Sequence, residues 1–237
     1  MDQAVGRMLA ALRTGGLADR TIVIYITDHG IAFPGAKATL FDPGLRIAWL
    51  MRGPGIPVGQ RIGALVANVD MLPTLCERAG TAGPLGHGAS LLPLFRGQDS
   101  VRSAIFPEMT FHGSYDPVRG IRTEHFKYVR SFEDRTWLFP ANIDASPTKN
   151  FFAMQGAFDR LRPREMLFDL DEDPLERSNV AGNIAYQQTL GPMRTKLEEW
   201  MHATADPLLR GPVSVPEGAR VGRGGHREPK DTRGGDQ

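Results

Sequence analysis

Three side chains within one short stretch suit the joint binding of a cation and an anion: Asp28, His29 and Lys37. A carboxylate and an imidazole are donor types used by bound metal ions. A lysine ammonium is a compact point charge for an anion. Asp28 and His29 are adjacent, so on a regular strand they would point to opposite faces. Both can serve one site only if the chain turns there, and Gly30 permits a turn because it tolerates positive φ at little cost. Asp-His-Gly also suits a plain polar strand exit. The downstream loop favours chemistry: Phe33-Pro34-Gly35-Ala36-Lys37, too rich in Pro and Gly for a helix, returns a cation to the same strand end.

The strand itself is Ile22 to Ile26, an apolar and mostly β-branched run. That composition predicts a strand buried on both faces, as in a parallel sheet covered by helices. Its carboxyl end is where open α/β sheets place ligands. Before it, Val5, Met8, Leu9 and Leu12 have helical spacing over Met1 to Arg13, and Gly15-Gly16 supplies the stop. After it, Arg46 to Met51 predicts a second strand and Arg52-Gly53-Pro54-Gly55 a turn. Asp70 is placed to cap a helix that ends at Gly80. That helix carries Cys76 beside Leu72, Leu75 and Ala79, which predicts a small buried thiol. His87 falls in a Gly-rich surface loop.

From Ser103 the pattern changes to short strands separated by turns: Ala104 to Phe106, Val118 to Thr123, Phe126 to Ser131 and Leu167 to Leu170. That spacing predicts an antiparallel sheet, with Thr123-Glu124-His125 as a hairpin connection. Ile184 to His202 predicts a helix with Leu190, Met193, Leu197 and Met201 on one face. Glu108 and His112 lie at a strand exit. Arg119, Arg122, Lys127 and Arg130 suit an anionic ligand, but a solvated sheet face balanced by Glu124, Glu133 and Asp134 is the stronger reading of those four. The expected fold class is α/β with a small α+β subdomain, divided at residues 1–100 and 101–210. Residues 211–237, with Pro, Gly and mixed charge, have the composition of a disordered tail.

Bulk composition excludes little. The 237 residues are 41% hydrophobic and 23% charged, and 28 basic against 27 acidic side chains give no global signal for nucleic acid. One cysteine rules out an internal disulfide framework. No apolar run approaches the ~20 residues of a membrane helix, and no signal peptide is visible at the start. Localisation is left open.

The run Thr27-Asp28-His29-Gly30, the Gly-Ile-x-Phe-Pro loop to Lys37, the segment Leu40 to Gly55 and the passage Gly88-Ala89-Ser90-Leu91-Leu92 together resemble the type I sulfatases of the alkaline-phosphatase-like superfamily. The loop is most similar to the sulfamidase (heparan N-sulfatase) branch. The resemblance covers roughly residues 1 to 205. It implies a partial alkaline-phosphatase-like sheet and the hydrolysis of sulfate esters or sulfamates, with a sulfated small molecule or sugar as partner and neither nucleic acid nor membrane. It further implies that Asp28 and His29 form half of a calcium (Ca2+) site, that Lys37 contacts the sulfate, and that Glu108 and His112 reach toward the sugar. Against that, Glu108 suits an ion pair with Arg119 or Arg122, and His112 a structural place. The family's formylglycine nucleophile comes from a C-x-P/A-x-R motif. Cys76 is followed by Glu77-Arg78-Ala79-Gly80, which is not that motif. The resemblance therefore implies a carboxyl-terminal portion lacking the nucleophile. Two departures stand out: histidine at 29, where many relatives have asparagine, and lysine at 37, where sulfamidases tend to have arginine. Phosphodiester or phosphonate hydrolysis on the same fold, and an inactive truncated product, are the alternatives.

Overall fold

The structure is a computed structural model that describes residues 1–83, 86–219 and 221. The chain forms two compact units, Met1–Asp28 with Ile47–Arg102, and His29–Arg46 with Ser103–Gln237. The segment after Asp28 therefore groups with the second half of the chain. Most of the stretch expected to be a tail, residue 220 and residues 222–237, lies outside the described residues. No helix among the described residues is long and apolar enough to cross a membrane.

In the first unit, α1 (Asp2–Thr14) stops at Gly15, and Gly16 takes φ +65°, as the double glycine predicts. The strands β1 (Val23–Ile26) and β2 (Trp49–Arg52) pair antiparallel, Val23 opposite Arg52 and Ile26 opposite Trp49. The expected parallel, doubly buried strand is thus corrected: all four residues of β1 are half-buried, and β2 is its one partner among the described residues. A short β-branched run specifies a strand but not its neighbours.

The helix α2 (Met71–Arg78) ends before Gly80 at φ +69°, as expected, but buries only Thr74. Leu72 and Leu75 are exposed and Cys76 is half-buried, so the thiol is not a core residue. Asp70 is not a side-chain cap of α2. Its carboxylate is fully buried, where it accepts the Ala67 and Ala89 N–H groups at 2.8 Å each and pairs with Arg102. A buried carboxylate needs such a complete set of donors, and the set comes from three separated segments.

The second unit is a four-stranded antiparallel sheet in the order β3 (Glu108–Phe111), β4 (Tyr115–Arg122), β5 (Phe126–Ser131) and β6 (Glu165–Asp169). Thr123 to His125 make the β4–β5 connection, as the sequence predicts. Ile105 forms only an isolated bridge with Arg122, so Glu108 opens a strand rather than leaving one. Side chains alternate by period two. Ile121, Tyr128 and Leu167 point to one face, covered by Leu190, Met193, Leu197 and Met201 of helix α4 (Gln187–Ala203), which comes after α3 (Pro147–Met154). Each of those four helix side chains contributes about 1.5–3 kcal/mol of transfer free energy. Val118, Val129, Met166 and Phe168 point to the other face, covered by Leu40 and Phe41, with Phe41 stacked on Trp137 at 5.4 Å.

Two covered faces overturn the solvated reading for Arg119 and Lys127, while Arg130 and its partner stay partly exposed. Arg119 lies on the α4 side, 1% exposed, and is held by Asp206. Lys127 lies on the other side, 0% exposed, between Asp42 and Glu176. Arg122 pairs with Asp42 at 3.3 Å and Arg130 with Glu198 at 2.9 Å. None of these partners is Glu124, Glu133 or Asp134.

Candidate active site

Asp28 closes the first unit immediately after β1, and its backbone carbonyl accepts a hydrogen bond from Asn68 Nδ2 at 3.1 Å. His29 opens the segment that belongs to the second unit. Its Nδ1 lies 2.7 Å from the Gly30 carbonyl. A carbonyl can only accept, so a hydrogen bond here requires a proton on Nδ1.

Gly30 is required for a reason other than the one the sequence suggested. Its φ is not in the left-handed range. A Cβ there would sit 1.8 Å from the Pro43 carbonyl oxygen. The two backbone runs are that close because the Gly30 N–H donates to the Gly44 carbonyl at 2.9 Å. The loop then folds back on itself: Ala36 N–H donates to Phe33 at 3.0 Å, and Lys37 N–H donates to Ile31 at 3.1 Å. Pro34 and Ala36 are buried, and Gly35 takes φ +80°. Ala38 comes next at φ +60°, a strained place for a residue with a Cβ. Lys37 thus stands at the neck of a tightly closed loop.

Opposite it, the β3–β4 tip presents His112. Gly113 in that tip approaches residue 141 so closely that a Cβ would meet the Ala141 carbonyl oxygen at 2.1 Å. Ser114 is tied to the same stretch: its N–H and hydroxyl donate to Asn142 Oδ1 at 3.1 and 3.0 Å. The neighbouring residue Asp144 reaches Lys37, with Oδ2 at 3.3 Å from Nζ. Burial lowers the His112 pKa, and the charges of Lys37 and His29 lower it further, against the opposing pull of Asp144. His29, Lys37 and Asp144 therefore all lie within electrostatic range of His112, and of these four all but Asp144 were singled out by sequence. The only local signal near Asp144 is the Ser146-Pro147 start of α3. Glu108 is brought elsewhere: its carboxylate is 3.2 Å from Arg119 Nε and half-exposed. His87 is exposed.

A small cavity lies beside the Lys37 loop. It is lined by Lys37, Phe41, Asp116, Trp137, Asn142 and Arg162 among others and offers about 20 Å³, room for about one water. Asp28 and His29 together offer one carboxylate and one imidazole. No group of three or more His, Cys, Asp and Glu side chains suited to a metal ion occurs among the described residues. Calcium takes about six to eight oxygen ligands, so these two side chains do not by themselves fit that ion.

Comparison with known proteins identifies the family. Residues 1–81 match the sulfatase family model. An ulvan-active sulfatase of Formosa agariphila is 32% identical over 224 residues, covering 91% of this chain and 44% of the relative. Human N-sulphoglucosamine sulphohydrolase is 30% identical over 246 residues, covering 92% of this chain and 48% of that protein. A structure solved in complex with its substrate D-glucosamine-2-N,6-O-disulfate superimposes with a TM-score of 0.66 at 25% identity, covering 89% of this chain and 39% of that one. The chain spans less than half the length of these relatives. Each of these three relatives matches about nine-tenths of this chain, and the chain belongs to the sulfatase family.

Proposed function

We propose that this chain supplies the sulfate-holding side of a sulfatase that hydrolyses sulfate esters or sulfamates on a sugar. The observation that supports this best is Lys37, one-quarter exposed and fixed at the neck of the Gly30–Ala38 loop, with His112 beside it. In the reaction, negative charge on the sulfuryl oxygens must be stabilised in transit, and a preorganised cation does this without reorganisation. Lys37 holds that charge. His112, exposed at the β3–β4 tip with its pKa held below the ordinary histidine value by partial burial and the Lys37 charge, offers a ring hydrogen bond to the sugar. Glu108, paired with Arg119 apart from this group, is left out of the sugar contact.

Asp28 and His29 supply a carboxylate and an imidazole toward a divalent cation, calcium in this reading, and the remaining ligands come from outside the residues described. When bound, that ion adds Lewis-acid stabilisation of the sulfuryl group. The covalent nucleophile likewise lies outside the groups assembled here, since Cys76 lacks the C-x-P/A-x-R context.

The test is calorimetric titration of glucosamine 6-sulfate onto the chain and onto Lys37→Met. Saturable binding lost in the variant is the expected result. Equal binding by both proteins would remove Lys37 from the site and the proposal with it.

A further inference from the structure

The Lys37–Asp144 pair is an odd feature for an anion site, because a carboxylate 3.3 Å from the ammonium occupies the charge that a sulfate would need. It is not a chance contact of two floppy surface groups. Asp144 itself is 60% exposed on its side chain, but the backbone on either side is locked. Asn142 is 3% exposed and accepts two hydrogen bonds from Ser114. Ile143 is 6% exposed, and its carbonyl accepts from Lys149 Nζ at 2.8 Å, a lysine that is itself 4% exposed. Ser146 caps α3 by accepting the Lys149 N–H at 3.1 Å. A solvent-accessible carboxylate is thus held at a fixed place by neighbours that are buried.

The geometry points to Asp144 as a specificity-determining residue. This role rests on the proposal that Lys37 holds the sulfate. When a sulfate takes Lys37, the Asp144 carboxylate loses its cation and faces the substrate with acceptor capacity only. A hydroxyl or ammonium next to the sulfate-bearing carbon replaces the lost partner with a charge-assisted hydrogen bond. A second sulfate or carboxylate at that position meets a like charge a few ångströms away. The site therefore takes sulfated sugars that carry a free hydroxyl or amine beside the sulfate and rejects those with a flanking second anion. Such rejection by a fixed like charge discriminates between substrates even where the attractive contacts are shared. His112 lies in the same field, so it reports the exchange: the chemical environment of its ring changes when Asp144 and Lys37 separate.

The experiment uses the full chain with Asp144→Asn, Asp144→Glu and Lys37→Met. Binding of glucose 3-sulfate and glucose 2,3-disulfate is monitored by calorimetry and by the histidine ring signals in NMR. The native chain and Asp144→Glu are expected to prefer the monosulfate. Asp144→Asn is expected to bind the disulfate on the order of tenfold more tightly than the native chain, the screened effect of one unit charge near a surface. Unchanged discrimination in Asp144→Asn, with Lys37→Met unable to bind, overturns this inference and leaves the role of Lys37 standing. Absence of binding by the native chain, or equal binding by Lys37→Met, overturns the Lys37 reading and this inference together. Ring signals of His125 and His202, away from this charge group, in native positions in the free variants establish that each is folded.

Discussion

Replacing Lys127 by methionine tests the account of how the Lys37 loop is anchored. Lys127 is fully buried, with Glu176 Oε1 and Asp42 Oδ1 each at 2.5 Å from Nζ. Asp42 lies just beyond the loop in sequence, and its N–H also donates to Glu176 at 2.5 Å. Methionine preserves most of the volume, so the cost isolates the charge. Breaking a buried pair by removing one partner costs about 3–5 kcal/mol because the other charge is stranded. Here Asp42 keeps Arg122 at 3.3 Å, which leaves Glu176 as the stranded group and sets the expected loss near the lower end, about 3 kcal/mol. Burial already raises the Glu176 pKa, against the pull of Lys127. Without Lys127 it rises further. An acid with a raised folded-state pKa binds more protons folded than unfolded, so stability falls as pH climbs through that range. The deficit of Lys127→Met is therefore expected to shrink on acidification from about pH 7 toward about pH 5. Urea unfolding monitored by tryptophan fluorescence measures it, since Trp137 stacks on Phe41, next to Asp42. The companion variant Lys127→Met with Glu176→Gln should recover about 1–3 kcal/mol by removing the stranded charge. A loss below about 1 kcal/mol for the single variant, or no recovery in the double, would refute the reasoning.

Other substitutions probe the tip, the charge cluster and the surface. Gly113→Ala places a Cβ against the Ala141 carbonyl and should displace the His112 tip, seen as a shifted His112 NMR titration with the sheet signals unchanged. Lys37→Met removes one of the charges that depress His112, so its pKa should rise in the same measurement, whereas Asp144→Asn should lower it. Leu50→Lys and Leu72→Lys, at side chains 60% and 53% exposed, should change the stability measured in urea by no more than about 0.5 kcal/mol while raising the soluble yield.

Much of the second unit could be read from the sequence because its rule is local. Period-two alternation and the hairpin at Thr123–His125 give β4 and β5, and helical spacing gives Leu190, Met193, Leu197 and Met201. Charge misled because alternation alone does not say whether both faces are covered. Arg119 and Lys127 sit on opposite faces, and only the packing of α4 on one side and Leu40–Phe41 on the other sends both indoors. The site was legible where chemistry was concentrated in sequence, at Asp28, His29 and Lys37. Asp144 could not be found that way, because it meets Lys37 from 107 residues away. Gly30 was found for the wrong reason: a glycine that avoids a carbonyl and one that adopts positive φ look the same in a sequence. Asp70 likewise has the place of a cap but binds Arg102 and the Ala89 N–H, contacts that no local pattern announces.

The Arg119–Asp206 pair also sets an order in time. It joins residues 87 apart, across the whole of β5, β6 and α4. Closing so long a segment is entropically unfavourable until the intervening sheet and helix exist. The guanidinium, which also donates to the Met109 and Val118 carbonyls at 2.9 Å, is therefore expected to reach Asp206 only after the rate-limiting step of folding. A clasp formed that late does not set how fast the unit folds; it sets how long the unit stays folded, so its loss appears as faster unfolding with the folding rate nearly unchanged.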